Sequence, residues 1–180
     1  MRPTSADGTR TAARMALALR NCLAYTGVYQ RRHAQSRALC TEARAHADRS
    51  GRPRMLGRVL SFAADIHLRL GRYAEAKSLL RQAVHPVEEA GDVFLCARDL
   101  TRLGTAELGE GDPGAAVALH HQALIRHQLL SPLTEPGYDW LEMDIHSRLG
   151  HAYLAAGRVH EALGQFRAVL EVPGARGHRG

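Results

Sequence analysis

The sequence predicts an all-α fold: a superhelical stack (α-solenoid) of about four antiparallel helix pairs. Three observations point to it. Glycines close successive segments at matched places: Gly71, Gly111 and Gly157 are 40 and 46 residues apart, and Ala76, Ala116 and Ala162 repeat both spacings. Aromatics make up only 5% of the chain while alanine is abundant, which suits thin helices packed through small residues. Between the glycines, apolar residues recur at helical spacing.

The elements follow in order. Residues 1–9 are polar, with Pro3 and Gly8, and read as a disordered lead-in to one helical domain over 10–172. A first pair spans about 10–51. Met15, Leu19, Cys22 and Leu23 give its first helix one apolar face, and Gly51 and Pro53 close it. The second pair, about 54–91, has helices from Arg54 to Leu70 and from Tyr73 to Ala90. Pro86 lies deep in the latter and is expected to kink or shorten it. The third pair, about 93–130, turns at Gly111-Asp112-Pro113, with proline near the first helical position. Residues 131–138 hold two prolines and a glycine and form the longest connection. The fourth pair, about 139–171, opens at Asp139 as a candidate cap and turns at Gly157. Residues 173–180 read as a disordered tail.

Leu149 to Phe166, LGHAYLAAGRVHEALGQF, is the most informative stretch. Leu149-Gly150, Tyr153, Gly157, Ala162 and Phe166 stand at the offsets of a tetratricopeptide repeat, and the stretch resembles that family. Each position has its own job: Gly150 lets the helices approach, Tyr153 and Phe166 fill the space between them, and Ala162 sits at their crossing. Leu70, Gly71, Tyr73, Ala76, Leu80 and Ala83 match in the second pair, and Leu103-Gly104 signals the third. There Glu107 and His120 stand where aromatics are usual, so a wetter or shifted interior is expected. The period exceeds the usual ~34 residues. Similar long repeats occur in kinesin light chains and in bacterial regulators of the SARP and STAND-ATPase type, and the idiom here looks most like the latter.

The resemblance implies a right-handed superhelix whose concave groove, lined by the first helix of each pair, binds a peptide or helical segment of another protein. Its groove positions fall on Asn21 and Tyr25 in pair one, and on Arg58, Ser61, Asp65 and Arg69 in pair two. In pair three they are Arg98, Thr101, Arg102 and Thr105, and in pair four Asp144, Ser147, Arg148 and His151. Arg58, Arg98 and Arg102 could hold a carboxylate through bidentate contacts. The competing reading is a solvated face with local Asp partners. The Lys-and-Asn clamp of chaperone-binding repeats is not present, since only Asn21 resembles it.

Net charge is +6 and Lys77 is the only lysine. Codon bias in a G+C-rich genome explains arginine over lysine. The alternative is arginine-mediated binding of nucleic acid or another polyanion, and the spread of the arginines along the chain argues against it. Cys22, Cys40 and Cys96, an odd and unpaired set, imply a reducing cytoplasm, and no membrane segment is evident. His120, His121, His127, His146 and His151 lack metal-ligand spacing, so neither metal nor cofactor is expected. His67 and His120 read as hydrogen-bonded core groups. No nucleophile elbow, P-loop or dinucleotide turn occurs, so the expected protein is not an enzyme; a cryptic active site on a helical scaffold is the remaining alternative. On the last helix Leu163 and Leu170 point away from its partner, which predicts a homodimer, or contact with another protein, through that end.

Overall fold

Helix punctuation in this chain is carried by glycine at the exits and by Asp or Pro at one entry, and the structure follows it closely. The computed structural model describes residues 41, 42, 44, 45, 53–130 and 139–172. Among these are six helices with defined ends: α1 (Pro53–Arg69), α2 (Tyr73–Glu89), α3 (Val93–Gly109), α4 (Pro113–Gln128), α5 (Asp139–Ala155) and α6 (Val159–Glu171). No strand occurs among the described residues. The expected lead-in, most of the first pair, the 131–138 connection and the tail lie outside them.

The turn glycines do what the spacing requires. Gly71, Gly91, Gly111 and Gly157 all have positive φ, between 62° and 90°, a conformation open to glycine and strained for other residues. Each makes the same pair of closing bonds. At the third pair Gly111 N–H donates to the Leu108 carbonyl (3.1 Å) and Asp112 N–H to that of Glu107 (2.9 Å); at the fourth, Gly157 and Arg158 donate to Leu154 (3.0 Å) and Tyr153 (2.8 Å). These bonds satisfy carbonyls that a helix end would leave open. At α4 the Asp112 carboxylate accepts from Ala115 N–H at 2.8 Å, with Pro113 in the first turn.

The chain divides between Asp92 and Val93 into two compact units. In the first, α1 packs on α2. Val59, Ala63 and Ile66 form its core cluster, with Met55, Phe62, Leu70 and Leu79 against it. Pro86 does not shorten α2, which continues to Glu89. The proline stands in the last turn, where it forfeits few helical bonds. The next residue, Val87, is 1% exposed and lies against Gly57, where an added Cβ would come 2.5 Å from its Cγ2. That packing holds the last turn in place.

In the second unit α3 packs on α4, α4 on α5, α5 on α6, and α3 also touches α5. Ala97, Ala123, Leu141 and Ile145 make one buried cluster; Leu149, Tyr153 and Ala162 make another, flanked by Val117 and Phe166. Burying a Leu or Ile side chain such as Leu141 or Ile145 contributes roughly 1.5–3 kcal/mol. At the α5–α6 crossing, a Cβ on Gly150 would lie 2.5 Å from Phe166 Cε1. At the α3–α4 crossing, a Cβ on Gly104 would lie 2.6 Å from His120 Cε1. Small residues therefore set both approaches, as expected of Gly150 and Ala162. At the third pair, expected to be wetter or shifted, Glu107 is half-buried and His120 fully buried. The hydrogen bonding expected of His120 is absent: neither ring nitrogen has a hydrogen-bond partner among the described residues.

Candidate functional site

The residues assigned to a groove sit on α1, α3 and α5; Asn21 and Tyr25 lie outside the described residues. In the first unit Arg58 is exposed, and Arg69 Nε donates to Asp65 at 3.2 Å along the helix. Ser61 is fully buried and its hydroxyl donates to the Gly57 carbonyl at 2.8 Å.

In the second unit the same pattern recurs on α3. Thr101 is 1% exposed and donates to the Ala97 carbonyl at 2.8 Å. Ser61 and Thr101 therefore offer nothing to a ligand, which corrects their assignment to the groove. A helical Ser or Thr hydroxyl can be spent on the carbonyl one turn back, and the position then tolerates burial. Arg102 Nη1 pairs with Asp99 Oδ1 at 3.2 Å, and Asp99 is 3% exposed. A pair this sheltered from water is screened weakly by salt.

A direct link between α3 and α5 centres on Arg148. Its Nε donates to both carboxylate oxygens of Asp144, each at 2.9 Å, and its Nη1 donates to the Thr105 hydroxyl on α3, also at 2.9 Å. Thr105 in turn donates to the Thr101 carbonyl at 3.0 Å. Arg148 thus ties α5 to α3. Ser147 is half-buried; His151 is exposed, its ring edge-on to Phe166 at 5.3 Å. Local carboxylates hold Arg69 in the first unit and Arg102 and Arg148 in the second. In the second unit the face formed by α3 and α5 is ordered by these ion pairs and hydrogen bonds.

Two aromatic residues on this face were not singled out from the sequence. Trp140, the only tryptophan, is 46% exposed and meets Phe94 edge-to-face at 5.9 Å. The Arg98 guanidinium lies 5.7 Å from the Phe94 ring centre. Their signal was available: Phe94 and Trp140 each stand ten residues before a crossing glycine, Gly104 or Gly150. Tryptophan and arginine are enriched among the residues that dominate binding energy in protein interfaces.

A second polar cluster lies along α4, α5 and α6. His121 Nε2 and the Tyr153 hydroxyl are 2.6 Å apart, and Arg158 lies 4.6 Å over the Tyr153 ring. Burial lowers the His121 pKa, and the charges of Arg158 and His146 lower it further. His146 Nδ1 is 2.8 Å from Gln165 Oε1. Among the described residues no group of three or more His, Cys, Asp or Glu is placed to hold a metal ion. No helix among them is long and apolar enough to cross a membrane.

Helical pairs closed by left-handed glycines, with small residues at each crossing, are consistent with a helical-repeat protein. Residues 145–180 match the family model of the tetratricopeptide repeat, which supports that family for this chain. A search of curated proteins found no match. Tetratricopeptide repeats commonly mediate protein–protein interaction and are typically non-enzymatic scaffolds.

Proposed function

We propose that the protein is a non-enzymatic interaction module, a right-handed superhelical stack of four helix pairs that binds a peptide or helical segment of another protein. Its setting is bacterial transcriptional or signalling control, in the cytoplasm, as in the SARP and STAND-type regulators whose repeats it resembles. The observation that most supports this reading is the ordered face across α3 and α5. There Arg148 joins Thr105 to Asp144, and Trp140 and Phe94 extend the same face with exposed aromatic surface. A photo-crosslinking amino acid at Ser147 in producing cells tests it. The expected outcome is a defined protein adduct that falls at least ~10-fold in an Arg148→Glu background with unchanged helical content, as expected when a buried interfacial contact is removed. Adducts indifferent to Arg148 would reject this face.

Adducts to nucleic acid, lost steeply with salt, would instead favour the polyanion reading. One count supports that alternative: residues 1–58 hold twelve arginines and three acidic residues, so the basic excess is concentrated there. Codon bias explains arginine over lysine but not the shortage of acids.

We also propose self-association through α6. Val159, Leu163 and Leu170 are 56%, 50% and 63% exposed and fall in one stripe beside the buried Ala162. A second copy packed on this stripe takes its apolar surface out of water. Sedimentation should show a dimer that Leu163→Glu returns to monomer; a concentrated wild-type monomer would reject the proposal.

A further inference from the structure

We propose that His120 is an acid-sensitive pin of the second unit: neutral, its ring fills the α3–α4 crossing; protonated, it must leave that slot and loosen the packing of α3 on α4. This inference stands on packing and does not rest on the proposed groove.

The geometry allows the neutral ring only. His120 is fully buried, and both Nδ1 and Nε2 lack a hydrogen-bond partner among the described residues. An imidazolium carries two N–H donors and a charge, and here neither donor would find an acceptor. A Cβ placed on Gly104 would stand 2.6–2.8 Å from Cε1, Nδ1 and Nε2, so the ring fills the space that this glycine leaves open. The charged and titratable groups acting on it are Arg148 from α5 and His121 from its own helix, while α3 meets it with Gly104. Both groups oppose a further positive charge. Seven residues on, the buried His127 also leaves Nε2 without a hydrogen-bond partner among the described residues.

Burial first, then Arg148 and His121, lower the His120 pKa from 6.5 to about 4. The folded value lies below the unfolded one, so the unfolded chain takes up the proton first as pH falls. Stability is therefore unaffected well above pH 6.5, declines between 6.5 and about 4, and levels off below. Between pH 7 and about 4.5 this one group lowers the folding equilibrium constant on the order of a hundred-fold.

The test uses the full chain. Histidine NMR should show one imidazole titrating near pH 4, assigned by its loss in His120→Phe. Urea unfolding, followed through Trp140 fluorescence, should lose on the order of a hundred-fold more stability from pH 7 to about 4.5 in wild type than in His120→Phe. His120 titrating near its ordinary value, or equal losses in the two proteins, would overturn the proposal. Should His120→Phe not fold, His120→Leu supplies the assignment, and the NMR titration decides alone. Neither readout uses a ligand, so failure of the groove reading leaves this result standing, and the reverse.

Discussion

The two helix pairs of the second unit are built alike and differ at one residue that matters. In each, a glycine of the first helix receives a large ring from the second: Gly150 receives Phe166, and Gly104 receives His120. Gly111 and Gly157 close the two turns with the same two hydrogen bonds. The glycines therefore reserve a ring-shaped slot in both pairs, and the slot does not specify chemistry. Phenylalanine fills it with apolar surface. Histidine fills it at the cost of two unsatisfied nitrogens, a cost on the order of 1–3 kcal/mol for a buried polar group. The repeat geometry is thus set by the absence of a side chain on one helix more than by the identity of the ring on the other.

The largest effect that could break the comparison is to fill the slots. Gly150→Val and Gly104→Val should each destabilise the second unit by roughly 3 kcal/mol, the upper range for overpacking a core. Urea unfolding read by Trp140 fluorescence measures both. Equal losses would mean that the approach of the helices dominates and the ring's chemistry is secondary. A much smaller loss at Gly104 would mean that His120 yields its place readily, which suits a ring without hydrogen bonds.

Most of this architecture was legible in the residues, for a local reason. Helix exits depend on glycine φ, and an Asp-Pro entry depends on one cap and one missing N–H, so Gly111-Asp112-Pro113 could be read directly. What tertiary packing decides was less legible. Pro86 looked like a break, but Val87 seals against Gly57 and α2 runs on. Ser61 and Thr101 fell at groove positions implied by the family resemblance, and aligned positions cannot count hydroxyls already spent on the previous turn. Trp140 stands in the first turn of α5, ahead of the positions that the repeat pattern constrains, so the pattern assigns it no role.

The entries of α4 and α6 give the smallest and sharpest test of the comparison. Asp112 caps α4 with a 2.8 Å bond to Ala115 N–H, whereas Arg158, in the same place before α6, makes no side-chain cap. Arg158 instead pairs with Glu161 at 2.9 Å and lies over Tyr153. Asp112→Ala removes a cap with no substitute and should cost about 1 kcal/mol. Arg158→Ser trades an exposed ion pair for a hydroxyl able to accept from the first turn, so its net effect should stay within about 0.5 kcal/mol. Chemical unfolding of both variants at two salt concentrations separates the contributions. The Asp112→Ala loss should persist in high salt, because a cap is a short hydrogen bond, while any Arg158→Ser loss should shrink as salt screens the pair it removed. A salt-sensitive Asp112 and a salt-insensitive Arg158 would reverse the assignment and make the last pair the more tightly pinned of the two.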